Sequence, residues 1–253
     1  MNSSDFFAGI AHPEVPWRNY TLHVPVFYPD FMSLSLTALV PLAKIKALLP
    51  SKRIFPYRVT PGFGTVSITA YQYRSSDLGP YNEISLAVPV SYGKRTRLFT
   101  GSLRKPQKPI LIYSHWLPVS TEIARVVGKE FAGYPKFIAD IQFSEDKHWM
   151  TCRMDLEGKH VLTFRGRKLH LRRVGRSRGN PLTFRGGWLL RSELIFSECK
   201  VGTSRNRQDV NLVFGDHPSV EIFKNLGFNR IASYTYCPHG KAILTPVIES
   251  LSG

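Results

Sequence analysis

Apolar and polar residues alternate along most of the chain, with the two-residue period of strands that are buried on one face. The segment Thr65–Tyr73 is typical, with Val66, Ile68 and Ala70 on one side. The turn Asp77–Pro80 follows it. Further strands are predicted at residues 84–90, 109–113, 137–143, 148–156, 188–197, 209–214, 229–237 and 241–248, and residues 160–164 and 168–173 are predicted to form a hairpin around Gly166.

The 3.6-residue period of helices is confined to short segments. Helices are predicted within residues 34–49, at least from residue 40 onward, between Ser120 and Gly128, and between Asp216 and Gly227. Pro41 suits a first helical position, and Pro50 suits the end of that helix. The proline-rich residues 1–30 are predicted to be an extended arm or edge strand. We therefore expect a single mainly β domain over residues 1–253, an antiparallel β-barrel or sandwich with two or three short helices.

Composition narrows the class of protein. The chain has 253 residues, 43% of them hydrophobic, which is enough for one large core. No window of about 18 residues is free of charges and helix breakers, so no membrane span is predicted. Residues 1–5 lack the basic start of a signal peptide, and three cysteines are too few for a disulfide framework. The expected location is the cytoplasm, with the cysteines reduced.

The net charge of +16 attracts anions, including nucleic acid, anionic lipid and carboxylate substrates. Residues 159–192 contain ten Lys or Arg and no acidic residue. One hypothesis is therefore a binding protein that uses the stretch 159–191 to hold an anionic ligand or nucleic acid. No recognised nucleic-acid-binding motif accompanies this charge, so a solvated or interface strand face is the preferred interpretation. Nucleic acid is accordingly not expected among the partners.

One lysine stands among aromatic and apolar residues, in the sequence Gly133-Tyr134-Pro135-Lys136-Phe137. An ordinary lysine has a pKa of about 10.4 and is protonated at neutral pH, so it cannot attack a carbonyl. Burial disfavours the ammonium form and can lower a lysine pKa toward neutrality, which frees the amine for Schiff-base chemistry. Taken alone, Lys136 is better interpreted as a surface lysine beside a turn, because lysines are rarely buried.

Carboxylates occur at two places that could serve this lysine. Glu83 follows the turn at residues 78–80 and begins an apolar strand, where it could act as a general acid or base. Glu122 and Glu130 bracket the short helix that precedes Lys136. For these two we predict a bracing role on the loop that presents the lysine.

His115-Trp116 and Cys237-Pro238-His239 form another candidate cluster, since Cys and His so close together can suggest a metal site. No second Cys-x-x-Cys or His-x-x-x-His pair lies at ligand spacing, so no metal is predicted. A catalytic Cys/His pair stays an alternative that no feature singles out. No phosphate-binding glycine motif is present either, and no cofactor is predicted.

Four motifs occur together in a fixed order: Leu-Gly-Pro-Tyr-Asn-Glu at 78–83, Glu122 to Glu130, Gly-Tyr-Pro-Lys at 133–136, and Phe-Gly-Asp-His-Pro at 214–218. Their order and spacing resemble the acetoacetate decarboxylase family over nearly the whole chain. The resemblance implies a cone-like β-barrel that assembles into homo-oligomers. It also implies an enzyme that acts on a small keto acid.

By this resemblance, Lys136 matches the Schiff-base lysine and Glu83 matches the active-site glutamate of the Tyr-x-Glu segment. These two are the predicted catalytic residues. The predicted substrate-binding residues are Tyr81, Tyr134, Phe137 and Trp116. The expected activity is that of a carbon–carbon lyase, which decarboxylates a β-keto acid through an imine on Lys136. Aldol or dehydration chemistry on a keto acid would use the same imine.

Three positions depart from the family pattern. Phe137 stands where the decarboxylases have a second lysine, so Lys136 would have to be activated by desolvation rather than by charge repulsion. A second pocket glutamate falls near Ser67 or Ile68 and is missing, and the arginine expected near Phe31 is absent. A relative that has lost catalysis is therefore the remaining alternative.

Overall fold

The chain folds around a closed ring of strands. The computed structural model describes residues 6–96 and 110–253. Its strands are β1 (Glu14–Trp17), β2 (Tyr20–His23), β3 (Val26–Pro41), β4 (Ile54–Pro56), β5 (Phe63–Ser75), β6 (Tyr81–Tyr92), β7 (Leu111–Val119), β8 (Lys136–Ile138), β9 (Asp140–Glu145), β10 (Trp149–Leu156), β11 (Lys159–Arg167), β12 (Arg172–Val174), β13 (Ser177–Arg185), β14 (Trp188–Arg191), β15 (Leu194–Phe196), β16 (Cys199–Ser204), β17 (Val210–Phe214), β18 (Ile231–Leu244) and β19 (Glu249–Ser252). The helices are α1 (Leu42–Lys46), α2 (Glu122–Ala132) and α3 (Glu221–Leu226).

Seven strands make the ring, in the order β3, β5, β6, β7, β13, β15 and β18, and β18 pairs with β3 to close it. Neighbouring strands are antiparallel except β7 and β13, which are parallel. Closure leaves no free edge between these strands, so their backbone groups pair within the ring. The predicted mainly β barrel with short helices is confirmed.

The main hydrophobic core lies on the outside of this ring. Successive side chains of a strand point to opposite faces of the sheet. On β3 the outward residues Leu34 and Leu36 are buried. They belong to one apolar cluster with Phe164 of the four-stranded sheet β17–β11–β10–β9 and Phe223 of α3. The second sheet and α3 therefore cover the outer face, and the inner face is left to line the interior.

The predicted helix at 34–49 is wrong over most of its length. Residues 26–41 form β3, and only Leu42–Lys46 are helical. The sequence Ser33-Leu34-Ser35-Leu36-Thr37-Ala38 alternates with a period of two, which is a strand pattern. The helical spacing of Leu42, Ile45 and Leu49 obscured this pattern. Ring closure decides the outcome, because β3 is the strand that both β5 and β18 need as a partner.

The predicted hairpin around Gly166 is also wrong. Gly166 lies inside β11, which pairs with β10 and β17, whereas β12 pairs with β16. The ring of Tyr234 lies against the Gly166 backbone, where any side chain would collide with it. Gly166 therefore serves a close packing contact and not a turn. The two strands predicted at 229–237 and 241–248 are a single strand, β18, with irregularities in its register.

The last predicted helix is confirmed. A 3-10 turn at Pro218–Val220 leads into α3, and Gly227, with a φ of 68°, ends it. No helix within the two described ranges is long and apolar enough to cross a membrane. The first residues of the predicted arm, 1–5, and the predicted strand start at Pro109 lie outside the described residues.

Candidate active site

The inward-facing residues of the ring enclose a cavity of about 300 Å³. Hydroxyl, tyrosine and small apolar side chains form most of its lining. Glu83, near the start of β6, and Lys136, the first residue of β8, also line it. The interior of the barrel is therefore a space for a small molecule, with two charged groups at one end.

Helix α2 and a tight packing contact position Lys136. The helix ends at Gly133, whose φ of 64° glycine adopts without strain. The backbone N–H of Tyr134 donates to the carbonyl of Gly128 at 3.1 Å. The sequence predicted that the helix ends near Gly128, but Gly128 lies within it. A Cβ atom at Gly128 would lie 2.6 Å from Cδ of Lys136, so the glycine makes room for the lysine.

Lys136 and Glu83 form a buried ion pair. The Nζ atom lies 2.8 Å from Oε2, and the two residues are only 8% and 7% exposed. Pairing with β7 brings them together, since Glu83 pairs with Val119 on one side of that strand and Lys136 pairs with Leu117 on the other. Removing one partner of such a pair leaves the other buried and unpaired. The site thus holds an amine directly beside a proton acceptor.

Three tyrosines surround this pair. The rings of Tyr81 and Tyr134 have their centroids 5.4 and 5.7 Å from Nζ of Lys136. The hydroxyl of Tyr73 donates to Oε1 of Glu83 at 3.5 Å. Burial raises the pKa of all three tyrosines, and the negative charge of Glu83 adds to the effect. They therefore stay protonated at neutral pH. Tyr73 and Tyr134 line the cavity, but Tyr81, which was also predicted to bind substrate, does not. Its hydroxyl donates to that of Tyr28 at 3.5 Å.

The structure does not bring Phe137 and Trp116 to the cavity. Phe137 follows Lys136 on β8, so the two side chains point to opposite faces. The ring of Phe137 packs on Trp116 with centroids 5.4 Å apart, and Trp116 packs on Phe223 at 5.0 Å. Neither residue lines the cavity. The predicted substrate contact is therefore corrected: Trp116 packs against the outer core, and Phe137 packs on Trp116.

Glu122 and Glu130, which both lie within α2, make exposed ion pairs. Glu122 accepts from Nε of Arg125 at 2.8 Å. Glu130 accepts from Arg18, which lies after β1, at 3.1 Å. The second contact joins the N-terminal hairpin to the helix that carries Gly128. Neither carboxylate lines the cavity.

The cysteines and histidines do not form a metal site in the part of the chain that the structure describes. No three His, Cys, Asp or Glu side chains come together there. All three cysteines are free. Cys237 and Cys199 hydrogen-bond each other, and this bond lowers the pKa of Cys199 to about 7. The same bond and burial raise the pKa of Cys237.

The basic stretch 159–191 is largely neutralised by acidic side chains of neighbouring segments. Among its ten basic residues, ion pairs form at Arg165, Arg167, Lys168, Arg173, Arg178 and Arg191. Most of these side chains are solvent-exposed, where single pairs contribute little stability. The charge pattern is that of a solvated strand face with local partners.

Comparison with known proteins identifies the family of this chain and solved structures with a similar fold. Residues 15–183 match the family described as acetoacetate decarboxylase. The chain belongs to this family. One similar solved structure, from structural studies of acetoacetate decarboxylase, has a TM-score of 0.62 at 16% identity and covers 90% of this chain and 89% of the other. Acetoacetate decarboxylase from Legionella pneumophila has a TM-score of 0.68 at 13% identity, over 99% and 96% of the two chains.

A third similar structure is the enduracididine biosynthesis enzyme MppR complexed with pyruvate, with a TM-score of 0.59 at 12% identity over 96% of this chain and 93% of the other. No curated protein sequence matches the chain. At these identities the structural likeness shows the fold alone. The assignment of the chain to the acetoacetate decarboxylase family therefore rests on the sequence match. The proposals for individual site residues rest on the geometry.

Sequence reasoning missed the hydroxyl lining of the cavity. The second glutamate of the acetoacetate decarboxylase pattern falls at Ser67 or Ile68. In the structure Ser67 lines the cavity, whereas Ile68 is buried in the outer core. Ser35 and Thr69 line the cavity as well. The period-two placement of Ser and Thr between apolar residues on β3 and β5 is the signal that could have found them.

Proposed function

We propose that this protein is a Schiff-base enzyme that acts on a keto acid through an imine on Lys136. The buried pair of Lys136 and Glu83, with 2.8 Å between Nζ and Oε2, carries the proposal. The pair lines the cavity inside the barrel, in a chain of the acetoacetate decarboxylase family. A lysine held in this way needs only to lose one proton to become a nucleophile.

Glu83 supplies the acid and base steps in this proposal. Its carboxylate takes a proton from the ammonium of Lys136, and the neutral amine adds to the substrate ketone. The protonated carboxyl then returns the proton to the hydroxyl of the adduct, which leaves as water and produces the protonated imine. Tyr73, which donates to Glu83, helps to hold the carboxylate in place.

Decarboxylation of a β-keto acid is the reaction that we propose for this imine. Its nitrogen accepts the electrons of the breaking carbon–carbon bond, carbon dioxide leaves, and an enamine remains. Protonation at carbon and hydrolysis then release the ketone and the free lysine. An aldol or dehydration step would start from the same imine, so the products formed decide between these reactions.

Reductive trapping tests the proposal. The protein is incubated with borohydride and acetoacetate or pyruvate, and the modified residue is mapped by mass spectrometry. We expect a single stable adduct on Lys136. Lys129, on the exposed side of α2, is the matched control and should stay unmodified. An intact fold without an adduct on Lys136 for either acid would contradict the proposal. Release of carbon dioxide from acetoacetate separates decarboxylation from the other reactions.

We also propose that the protein forms a homo-oligomer in the cytoplasm. Trp188 on β14 is 53% exposed, and tryptophan is enriched in the interfaces between protein subunits. The three free cysteines agree with a reducing compartment. Sedimentation of the wild type and of Trp188→Ala measures the oligomeric state. We expect the wild type to sediment as a multiple of the chain mass and the substitution to weaken this assembly. Fluorescence imaging of the tagged chain measures its location in the cell.

A further inference from the structure

A group of hydroxyl side chains lines the cavity away from Lys136. We call Ser35, Ser67, Thr69, Ser85 and Ser114 the hydroxyl belt; all five face the cavity. The strand register arranges them in rows. Thr69 pairs with Ser35 on one side and with Ser85 on the other. The next row contains Ser67, whose partner Ala87 pairs with Ser114.

The two rows lie at increasing distance from the ion pair along the strands. Glu83 pairs with Tyr71. Glu83 lies two residues before Ser85 along β6, and Tyr71 lies two residues after Thr69 along β5. A strand advances about 3.4 Å per residue, so the first row of the belt lies about 7 Å and the second row about 14 Å beyond Glu83. A small molecule bound covalently at Lys136 reaches the belt only with an extended tail.

The chemistry of the belt selects an uncharged, hydrogen-bonding group. Apart from Lys136 and Glu83, no Lys, Arg, His, Asp or Glu lines this cavity among the described residues. A charged tail would therefore lie buried without a counterion, which is strongly unfavourable. Oγ of Ser35 and Oγ1 of Thr69 lie 2.8 Å apart and share one hydrogen bond. Such a pair keeps one donor and several acceptor sites for a ligand.

The opposite wall is apolar. Leu194, Phe196 and Leu244 line it, together with Pro181. These residues come from β13, β15 and β18, whereas the belt comes from β3, β5, β6 and β7. A ligand tail in the cavity therefore meets hydroxyls along one side and hydrocarbon along the other. A methylene chain that carries a hydroxyl group matches both walls.

We propose that the substrate is a keto acid with a hydroxylated, uncharged tail, which the hydroxyl belt binds while Lys136 holds the keto carbon. This inference rests on the proposed function, since it uses the imine as the anchor. It adds the class of substrate, which the departures from the family motifs left open.

Two matched probes test the inference, 8-hydroxy-3-oxooctanoate and 3-oxononanoate. They differ only in that a terminal methyl group replaces the hydroxyl. Reductive trapping on Lys136 is measured as a function of acid concentration, with the adduct mapped by mass spectrometry. A hydrogen-bonding site discriminates against an analogue that leaves its polar groups unpaired, so we expect half-saturation at an about tenfold lower concentration for the hydroxy acid.

Substitutions in the belt locate the effect. Ser35→Ala/Thr69→Val removes two of the three hydroxyls of the first row with little change in shape, so we expect most of the preference for the hydroxy acid to disappear. Thr151→Val, on β10 of the four-stranded sheet, makes the same change away from the cavity and should keep the preference. Circular dichroism of each variant confirms that the fold is retained.

The outcomes separate the two proposals. If both acids form the adduct with equal half-saturation, the imine proposal stands and the belt is only a water-lined wall, which overturns the inference. The same follows if Ser35→Ala/Thr69→Val keeps the full preference. If neither acid nor pyruvate modifies Lys136 in the folded protein, the proposed function fails and this inference fails with it.

Discussion

The two faces of the same ring strands differ sharply. On β3 the outward residues Leu34 and Leu36 are buried in the main core, whereas Ser35 between them faces the cavity. On β5 the same contrast separates Ile68 from Thr69. Stability and chemistry are therefore carried by alternate residues of one strand. A change on the outer face should act on folding, and a change on the inner face should act on binding.

The contrast has a physical cause. The outer face is covered by a second sheet and α3, so apolar side chains there are removed from water and stabilise the fold. The inner face surrounds a space that solvent or a ligand fills, so polar side chains keep hydrogen-bond partners there. The barrel can hold an ion pair and hydroxyls inside because its hydrophobic core lies outside.

Lys136→Met should have the largest effect on the inner face. We expect complete loss of the borohydride-trapped adduct, because no other amine lines the cavity among the described residues. Mapping of the adduct by mass spectrometry checks this. Lys129→Met removes an exposed lysine of α2 and should leave trapping intact. Trapping that survives in Lys136→Met would show that the imine forms on another residue and would contradict the assignment of Lys136.

Leu36→Ala and Ser35→Ala compare the two faces at adjacent positions. Leu36 is 2% exposed in the outer core, and truncating a buried leucine lowers the free energy of unfolding by about 2–5 kcal/mol. Ser35→Ala removes one hydroxyl pair and should cost about 1 kcal/mol or less. Urea unfolding measures both. Equal losses for the two variants would break the proposed division between the faces.

Phe137→Lys restores the second lysine of the family pattern at a position that faces the outer core. We expect this charge to lower the free energy of unfolding by about 2 kcal/mol, because it replaces an aromatic ring packed on Trp116. We do not expect faster trapping at Lys136, since the two side chains point to opposite faces. A rate increase at unchanged stability would show that charge at position 137 reaches the amine.

The smallest expected effect concerns the cysteines. Cys237 pairs with Ser33 across β18 and β3, and its thiol lowers the pKa of the half-buried Cys199 to about 7. Only the thiolate is alkylated, so the rate of iodoacetamide labelling at Cys199 should rise from pH 6 and level off above about pH 8. Cys237→Ala should move this rise to higher pH. Cys152, whose pKa burial raises in the outer core, should react only after unfolding.

Local pattern predicted a good part of this molecule. The alternation of residues 65–73 predicted β5, and Pro218 with Gly227 bracketed α3. It failed where packing across the fold decides. The pattern predicts a helix end at Gly128, but α2 continues to Ala132, and Gly128 is a glycine because Lys136 packs against it. The pattern predicts a turn at Gly166, but this glycine accommodates Tyr234 from a distant strand.

For the site, the sequence by itself determined that Lys136 and Glu83 are residues of the right chemical type in motifs of the right order. It also determined the family, and with it the expectation of a barrel. Only the tertiary structure decided which side chains share a space. Lys136 meets Glu83, 53 positions away, because both their strands pair with β7. Phe137, one position away from Lys136, is excluded from the cavity, because neighbouring residues of a strand point to opposite faces.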